Sequence, residues 1–242
     1  MGSLTASRLL TVWERGAGQA PLERAYALLA IAHPVEEPDR LIDLDVAERD
    51  ARLLELREQL FGGQMEGLAD CPSCQERVEM SFQAGDLIAS QARLLGPQEF
   101  RLERDGDWVR FRLPASRDLF LVMAEPPEKR RRALAERCVL ETGAAQGPGQ
   151  AALLPDALIT AMSERMAEAA PLADVWFALT CPACGTSWQA PFDIASYLWA
   201  EIEAWSYRTL QEVHSLARAY GWSEADILGM SAWRRQFYLS LL

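Results

Sequence analysis

Four cysteines occur as two Cys-x-x-Cys pairs that could bind a metal ion. Cys71 and Cys74 stand in the segment ADCPSCQERV, and Cys181 and Cys184 stand in LTCPACGTSW. One tight turn of this kind supplies two thiolates, and Zn²⁺ in structural sites takes four such ligands in a tetrahedron. The spacing therefore predicts one structural zinc ion bound by all four thiolates.

The residues around each pair fit a tight turn. A proline follows the first cysteine of each pair and restricts φ at the start of the turn. Gly185 follows the second pair and tolerates a positive φ, whereas Gln75 takes the same place after the first pair. Gln75 is a departure from the expected pattern, and it makes the first pair the weaker match.

The two pairs are far apart in the chain, with an offset of 110 residues between Cys71 and Cys181. Closing a loop of about 100 residues costs about 4.7 kcal/mol in chain entropy. Structural zinc contributes roughly 10–16 kcal/mol of apparent binding energy. We therefore expect zinc to join two halves of one zinc-ribbon-like module across an insertion.

Other chemistry for the cysteines is less favoured. A redox dithiol needs only one pair, and no βαβ pattern surrounds either pair. A catalytic zinc keeps an open position and usually recruits histidine or carboxylate, whereas four thiolates close the coordination shell. Cys138, in a helix-like segment, is expected to be a buried apolar residue.

No pattern typical of an enzyme is present in the sequence. His33 and His214 share no ligand spacing, and there is no nucleophile elbow, phosphate loop or paired-carboxylate motif. We therefore predict a protein that is not an enzyme and has no small-molecule substrate.

Composition narrows the environment and the partners. The 242 residues carry a net charge of −11, which would repel nucleic-acid phosphates, so no nucleic-acid partner is expected. The basic run Lys129–Arg132 lies in a helical pattern and is interpreted as a solvated helix face. No apolar run reaches the ~18 residues of a membrane span, which predicts no membrane insertion. The chain has five cysteines and no N-terminal secretory signal pattern, which indicates a reducing cytoplasm.

Helices are predicted from apolar periodicity and capping residues. The predicted helices cover the following segments: residues 21–33, a helix capped by Asp45 with Glu48 and ended by Gly62, residues 126–141, residues 156–169, a long helix from Asp193 to near Tyr220, and two short helices capped by Ser223 and Ser231. Alternating residues predict strands at 77–83 and 186–192 and a hairpin over 100–114 around Asp105-Gly106. Residues 142–155 are predicted to form an exposed loop.

The C-terminal end is unusually aromatic. Five of the eight tryptophans lie between residues 188 and 233. We name residues 221–242, which hold the last two short helices, the hook. Such an aromatic load favours a surface that binds a protein partner, although the hook could instead be a self-contained helical cap. The candidate partner-binding residues of the hook are Trp222, Trp233, Phe237, Tyr238 and Leu239.

A resemblance adds to this interpretation. The segment EVHSLARAYGWSEADILGMSAWRRQFYL resembles the C-terminal signature of T-even phage-type baseplate proteins, or baseplate hub assembly chaperones, of contractile phage tails and phage-tail-like injection systems. Segments 45–62, 111–119 and 192–205 and both cysteine pairs also match that family in order. The resemblance implies a role in building or forming a baseplate through other baseplate or tail proteins, and it carries over no catalytic residue.

Together these observations predict an α+β protein that is mainly helical. We expect an N-terminal helical region (1–68), a zinc-ribbon-like module with an inserted hairpin (69–192) and a C-terminal helical module that includes the hook (193–242). The predicted function is a zinc-stabilised structural component or assembly chaperone of a contractile tail-like particle, present in the bacterial cytoplasm during assembly. The alternative is a cytosolic zinc-ribbon adaptor that contacts nucleic acid or the transcription machinery.

Overall fold

The computed structural model describes residues 4–92, 99–104, 106–143 and 154–242. The chain is 57% helical and 20% strand, which confirms the α+β class. The helices are α1 (Ala6–Gly16), α2 (Pro21–Ala32), α3 (Pro38–Ile42), α4 (Val46–Phe61), α5 (Ala84–Ala92), α6 (Ser116–Val122), α7 (Pro127–Arg137), α8 (Asp156–Ala169), α9 (Ile194–Tyr220), α10 (Glu224–Leu228) and α11 (Ala232–Leu239), with a 3₁₀ turn at Pro171–Ala173. The strands are β1 (Gln64–Asp70), β2 (Arg77–Gln83), β3 (Glu99–Arg104), β4 (Asp107–Arg112), β5 (Val139–Gly143), β6 (Val175–Thr180) and β7 (Ser187–Phe192).

Local signals place several of the helix ends. The Asp45 side chain accepts a hydrogen bond from the Glu48 N–H at the start of α4, and Gly62 with φ 89° ends that helix. Ser223 and Ser231 cap α10 and α11 in the same way. The three predicted caps are therefore confirmed. Each capping side chain accepts a hydrogen bond from an N–H of the first turn, which has no backbone partner within the helix.

The chain forms two compact units. The first combines residues 1–37 with residues 195–242, and the second is residues 38–194. The three-part division by chain order stays a prediction, whereas these units follow the packing.

In the first unit, aromatic contacts join the N-terminal helices to α9. Gly16 lies so close to the Trp199 indole that an added Cβ would stand 2.3 Å from the ring. Arg24 stacks over the same ring at 4.6 Å, and Trp13 meets Tyr207 edge to face at 5.3 Å. Glycine at position 16 is therefore required by close approach of the ring.

One face of α9 is largely buried. Leu198, Ile202 and Leu216 are fully buried, and the buried Thr209 lies between Ile202 and Leu216. The 3.6-residue period of a helix places these residues on one face.

A structural repeat runs from the second unit into α9, and it was not predicted from the sequence. The order helix, two-stranded antiparallel hairpin, helix occurs first as α4–β1–β2–α5 and again as α8–β6–β7–α9. The two copies share the offset that separates the cysteine pairs: α4 begins at Val46 and α8 at Asp156. The repeated segment is therefore much longer than the cysteine turns.

Between the repeats, the insertion builds its own small core. Its three antiparallel strands have the order β3-β4-β5. Their inner face packs with α7 and α8 around a cluster of Phe100, Val109, Phe111, Ala135, Leu158, Ile159 and Met162. The predicted hairpin is present as β3–β4, with Asp105 outside the described residues.

The prediction of one helix over residues 126–141 is wrong at its end. Helix α7 stops at Arg137, Cys138 caps it, and Val139–Gly143 forms the third strand of the sheet. Backbone pairing with β4 outweighs the helical pattern here, because it satisfies the N–H and C=O groups of both strands. Thr142 and Gly143, predicted to begin the loop over residues 142–155, belong to this strand instead. Residues 144–153 of the predicted loop lie outside the described residues.

An ion pair between a half-buried arginine and a buried carboxylate ties α6 to the insertion sheet. The Asp118 side chain is 4% exposed and accepts hydrogen bonds from Arg112 at 2.6 and 3.1 Å and from the Ala115 N–H at 2.9 Å. Burial by itself raises the pKa of Asp118, but the bonds from Arg112 and Ala115 and the charge of Arg137 together lower it.

Candidate functional site

The two Cys-x-x-Cys turns are built in the same way. In the first, the Cys71 N–H donates to the Glu76 carbonyl and the Gln75 N–H donates to the Cys71 carbonyl, both at 2.9 Å. In the second, Cys181 pairs with Thr186 and Gly185 pairs with Cys181 at the same distances. Each turn joins the two strands of its hairpin, β1–β2 or β6–β7, and so holds its cysteines at the hairpin tip.

The hairpins bring the four sulfurs together. The Sγ atoms of Cys71 and Cys184 are 3.7 Å apart, and those of Cys74 and Cys181 are 3.6 Å apart. All four Sγ atoms lie within 4.8 Å of one another. A tetrahedral ion with metal–sulfur bonds of about 2.3 Å places its sulfurs about 3.8 Å apart, so the cluster has the dimensions of a four-thiolate site.

Burial follows the repeat. The first cysteine of each turn, Cys71 or Cys181, is buried, and the second, Cys74 or Cys184, is exposed. Each close sulfur pair joins a buried cysteine of one turn to an exposed cysteine of the other. Both hairpins therefore contribute equally, and a metal ion bound here would hold them together.

Electrostatics at the cluster favours a cation. Hydrogen bonds from the Thr186 hydroxyl and N–H lower the pKa of Cys184 to about 6. A bond from the Glu76 N–H lowers the pKa of Cys74, but the sulfurs of Cys184 and Cys181 outweigh it and raise that pKa to about 12. Ionisation of one cysteine thus disfavours ionisation of the next. A bound divalent cation would offset this repulsion by neutralising the negative charge of the thiolates.

Beneath the cysteines, three phenylalanines join the hairpins. The Phe82 ring lies 4.6 Å from Phe177 and 5.3 Å from Phe192, and the latter two rings are 5.7 Å apart. Phe82 and Phe192 are at equivalent positions of the repeat, each 11 residues after the first cysteine of its turn. That shared spacing is the sequence signal that could have identified this contact, and the sequence analysis missed it.

The repeat is hidden in the sequence because the two hairpins share few residues outside the cysteine turns. In the first hairpin Gly67 is paired with Met80, and in the second Phe177 is paired with Ala190 at the equivalent positions. A Cβ at Gly67 would lie 2.9 Å from the Met80 side chain, so the small residue makes room for the large one. The large residue of this pair therefore stands on opposite strands in the two hairpins.

The fifth cysteine and the basic run lie elsewhere. Cys138 is fully buried, and burial raises the pKa of its thiol to about 12, so it is not a ready nucleophile. Arg132 of the basic run pairs with Glu136 at 2.8 Å and Asp156 at 2.7 Å. Arg130 donates to backbone carbonyls at 3.0 and 3.2 Å. Arg130 and Arg132 therefore already have hydrogen-bond or ion-pair partners within the protein.

Within the ranges that the structure describes, the four cysteines are the one group of three or more His, Cys, Asp or Glu side chains close enough to hold a metal ion. Within the same ranges, no helix combines the length and apolar composition that crossing a bilayer requires.

The five candidate partner-binding residues of the hook divide into two sets. Trp222, Tyr238 and Leu239 are half-buried and pack on the cluster of Val213, Leu216 and Ile227. These three side chains hold the hook to the end of α9.

The other two candidates point outward. Trp233 is 78% exposed and Phe237 is 50% exposed, and their rings stack with centroids 6.1 Å apart. Leu241, which was not among the predicted residues, lies four residues after Phe237 in the turn that follows α11 and is 62% exposed. We name Trp233, Phe237 and Leu241 the outer stripe.

Comparison with known proteins gives no relative: no family model, no curated protein and no solved structure matches the chain.

Proposed function

We propose that this chain is a zinc-stabilised, non-enzymatic structural component or assembly chaperone of the baseplate of a contractile phage tail-like particle. The observation that carries the proposal is the outer stripe, because two stacked aromatic rings stand in solvent on a helix whose other face is packed, and the exposed Leu241 follows just past the end of that helix. Exposed aromatic residues of this kind mark protein-binding surfaces. The baseplate assignment is supported by the resemblance of segments 45–62, 111–119, 192–205 and 212–239 to that family.

The metal site fits a structural role within this function. We propose that Cys71, Cys74, Cys181 and Cys184 bind one zinc ion as thiolates in a zinc-ribbon-like arrangement. Zinc would supply a closed tetrahedral cross-link between the two hairpins and would leave no position for a substrate. The hairpins then form a rigid module, and the surface that meets the partner lies on the hook.

The test of the function is particle assembly. The gene is deleted in the source bacterium or phage. The deletion strain is then complemented with the wild-type gene, with the double variant Trp233→Ala/Phe237→Ala, or with the control Trp176→Ala. Trp176 is a matched control because it is 50% exposed on β6 of the other unit. We expect complete contractile particles in electron micrographs with the wild type and the control only. Normal particles in the deletion strain would refute the proposed function.

A further inference from the structure

The charge around the outer stripe differs from that of the rest of the chain. From Arg208 to Leu242 there are four arginines and three acidic residues, in a chain whose net charge is −11. Arg235 is buried and paired with Glu212 at 3.0 Å. Asp226 accepts hydrogen bonds from Ser223 in the α10 capping box. Two of the three acidic groups are therefore already engaged.

Three exposed arginines remain without a side-chain partner among the described residues: Arg208, Arg218 and Arg234. Arg234 directly follows Trp233. Glu212 of α9 accepts hydrogen bonds from Arg235 and Gln236, so that face of α11 lies on α9. Glu224 is the one acidic side chain of this segment that remains unengaged among the described residues. The unengaged charge of residues 208–242 is therefore mainly positive, and Arg234 places one such charge on α11 next to Trp233.

The size of the outer stripe argues against simple pairing of two copies. An aromatic side chain buries about 150–250 Å² in a contact. The exposed parts of Trp233 and Phe237 then amount to roughly 200–300 Å², and the one leucine of the stripe, Leu241, leaves the total well below the ~800 Å² per partner of a stable interface. Two copies meeting at this stripe would also bring Arg234 of each copy towards the other. A partner that surrounds the helix covers more area and avoids this repulsion.

We infer that the outer stripe binds a groove on another protein of the same particle, with an apolar floor for Trp233 and Phe237 and a carboxylate-bearing rim for Arg234. This inference rests on the proposed function and adds the chemistry of the partner. Insertion of an apolar helix face into a groove is a common mode of recognition, and complementary charge on the rim selects the partner and accelerates its binding.

Membranes are a poorer fit for this surface. An aromatic, arginine-bearing helix can also lie on anionic lipid, but the chain as a whole carries a charge of −11 and is repelled by such a surface. A protein groove presents its carboxylates locally, so the arginines can meet them without bringing the acidic parts of the chain close.

The experiment measures binding of the full-length, zinc-loaded chain to each baseplate and tail-tube component of the same particle by titration calorimetry. We expect one component to bind and Trp233→Ala to weaken that binding about 30-fold or more. Arg234→Glu should weaken it about tenfold or more and should flatten its dependence on salt between 50 and 300 mM NaCl. Circular dichroism and zinc content establish that each variant is folded.

Two controls match these variants in type. Trp176→Ala removes an exposed tryptophan and Arg104→Glu reverses an exposed arginine, both in the other unit, and both should bind within about twofold of the wild type.

Each other result overturns the inference. If a component binds and Trp233→Ala or Arg234→Glu binds as well as the wild type, the groove is wrong and the proposed function stands. Sedimentation showing a dimer that Trp233→Ala converts to a monomer would identify a second copy as the occupant. Binding to vesicles of 30% phosphatidylserine in phosphatidylcholine, lost in Trp233→Ala, would identify lipid. If no component binds, the inference fails, and normal particles in the deletion strain would show that the proposed function fails too.

Discussion

Gln75 and Gly185 occupy the same position in two equivalent turns, and both have a left-handed backbone. Their φ angles are 62° and 75°, and each N–H donates to the carbonyl of the first cysteine of its turn at 2.9 Å. Glutamine adopts this conformation at a cost that glycine does not have, because its Cβ approaches the following carbonyl oxygen. The two turns thus share one geometry in spite of their different residues.

Substitutions at these two positions should change the free energy of unfolding in opposite directions. Gln75→Gly should stabilise the folded protein by about 0.5 kcal/mol because it relieves the strain, less the entropy that glycine loses on folding. Gly185→Gln should destabilise it by about 1 kcal/mol because it introduces the same strain. Urea unfolding of the zinc-loaded proteins measures both changes. Shifts of the same sign would contradict the equivalence of the two turns.

Local signals in the sequence predicted the parts of the fold that depend on neighbouring residues. Asp45, Ser223 and Ser231 begin helices where their capping patterns indicated, and the cysteine turns meet as their spacing required. The structure shows a four-cysteine cluster, while the identity of its metal stays a prediction.

What the sequence did not reveal depends on distant contacts. Strand β6 is almost uniformly apolar and lacks alternation, and Gly67 weakens the strand pattern of β1. The two hairpins share few residues outside the cysteine turns, so the repeat is not evident from the sequence. Similarly, periodicity along a helix shows which face is buried but not which distant helix covers it. The association of residues 1–37 with residues 195–242 was therefore not predictable.

The cysteines should differ sharply in their effect on stability. Cys181→Ser removes one of four proposed ligands, so the variant should lose most of the roughly 10–16 kcal/mol of apparent zinc binding energy and melt at a much lower temperature. Cys138→Ser is the matched control, because Cys138 is also buried but is not one of the four clustered cysteines. This substitution should lower the free energy of unfolding by roughly 1–3 kcal/mol. Equal shifts in melting temperature would remove the distinction between ligand and core cysteine.

Asp118 should make stability depend on pH. Its pKa is lowered in the folded protein, so its contribution is present above the unfolded pKa of about 3.9 and is lost as the pH falls through the folded value. At pH 7, Asp118→Asn should cost about 2 kcal/mol, because charged hydrogen bonds are lost. The difference from the wild type should shrink below about pH 4.

The control for this prediction is Asp43→Asn. Asp43 also pairs with an arginine, Arg117 at 2.6 Å, but both side chains are about half exposed. Exposed pairs contribute about 0–1 kcal/mol, so this variant should unfold almost as the wild type does. An Asp118→Asn cost that stays constant from pH 7 to pH 2 would contradict the role of the carboxylate.

Nucleic acid should not bind. The net charge is −11, and Arg130 and Arg132 of the basic run are engaged by backbone carbonyls and by Glu136 and Asp156. We expect a Kd for duplex or single-stranded DNA weaker than about 10⁻⁴ M at physiological salt in fluorescence anisotropy. Micromolar, salt-sensitive binding that Arg130→Ala/Arg131→Ala abolishes would favour the alternative function as an adaptor.

The most direct test of the central claim is the metal content and coordination of protein purified without added metal. Elemental analysis should find one zinc per chain, and X-ray absorption should find four sulfur neighbours about 2.3 Å from it. Cys184→Ser should lower the sulfur number or lose the ion, whereas Cys138→Ser should leave both unchanged. Protein without zinc that instead carries a Cys71–Cys74 disulfide in a reduced preparation would contradict the account.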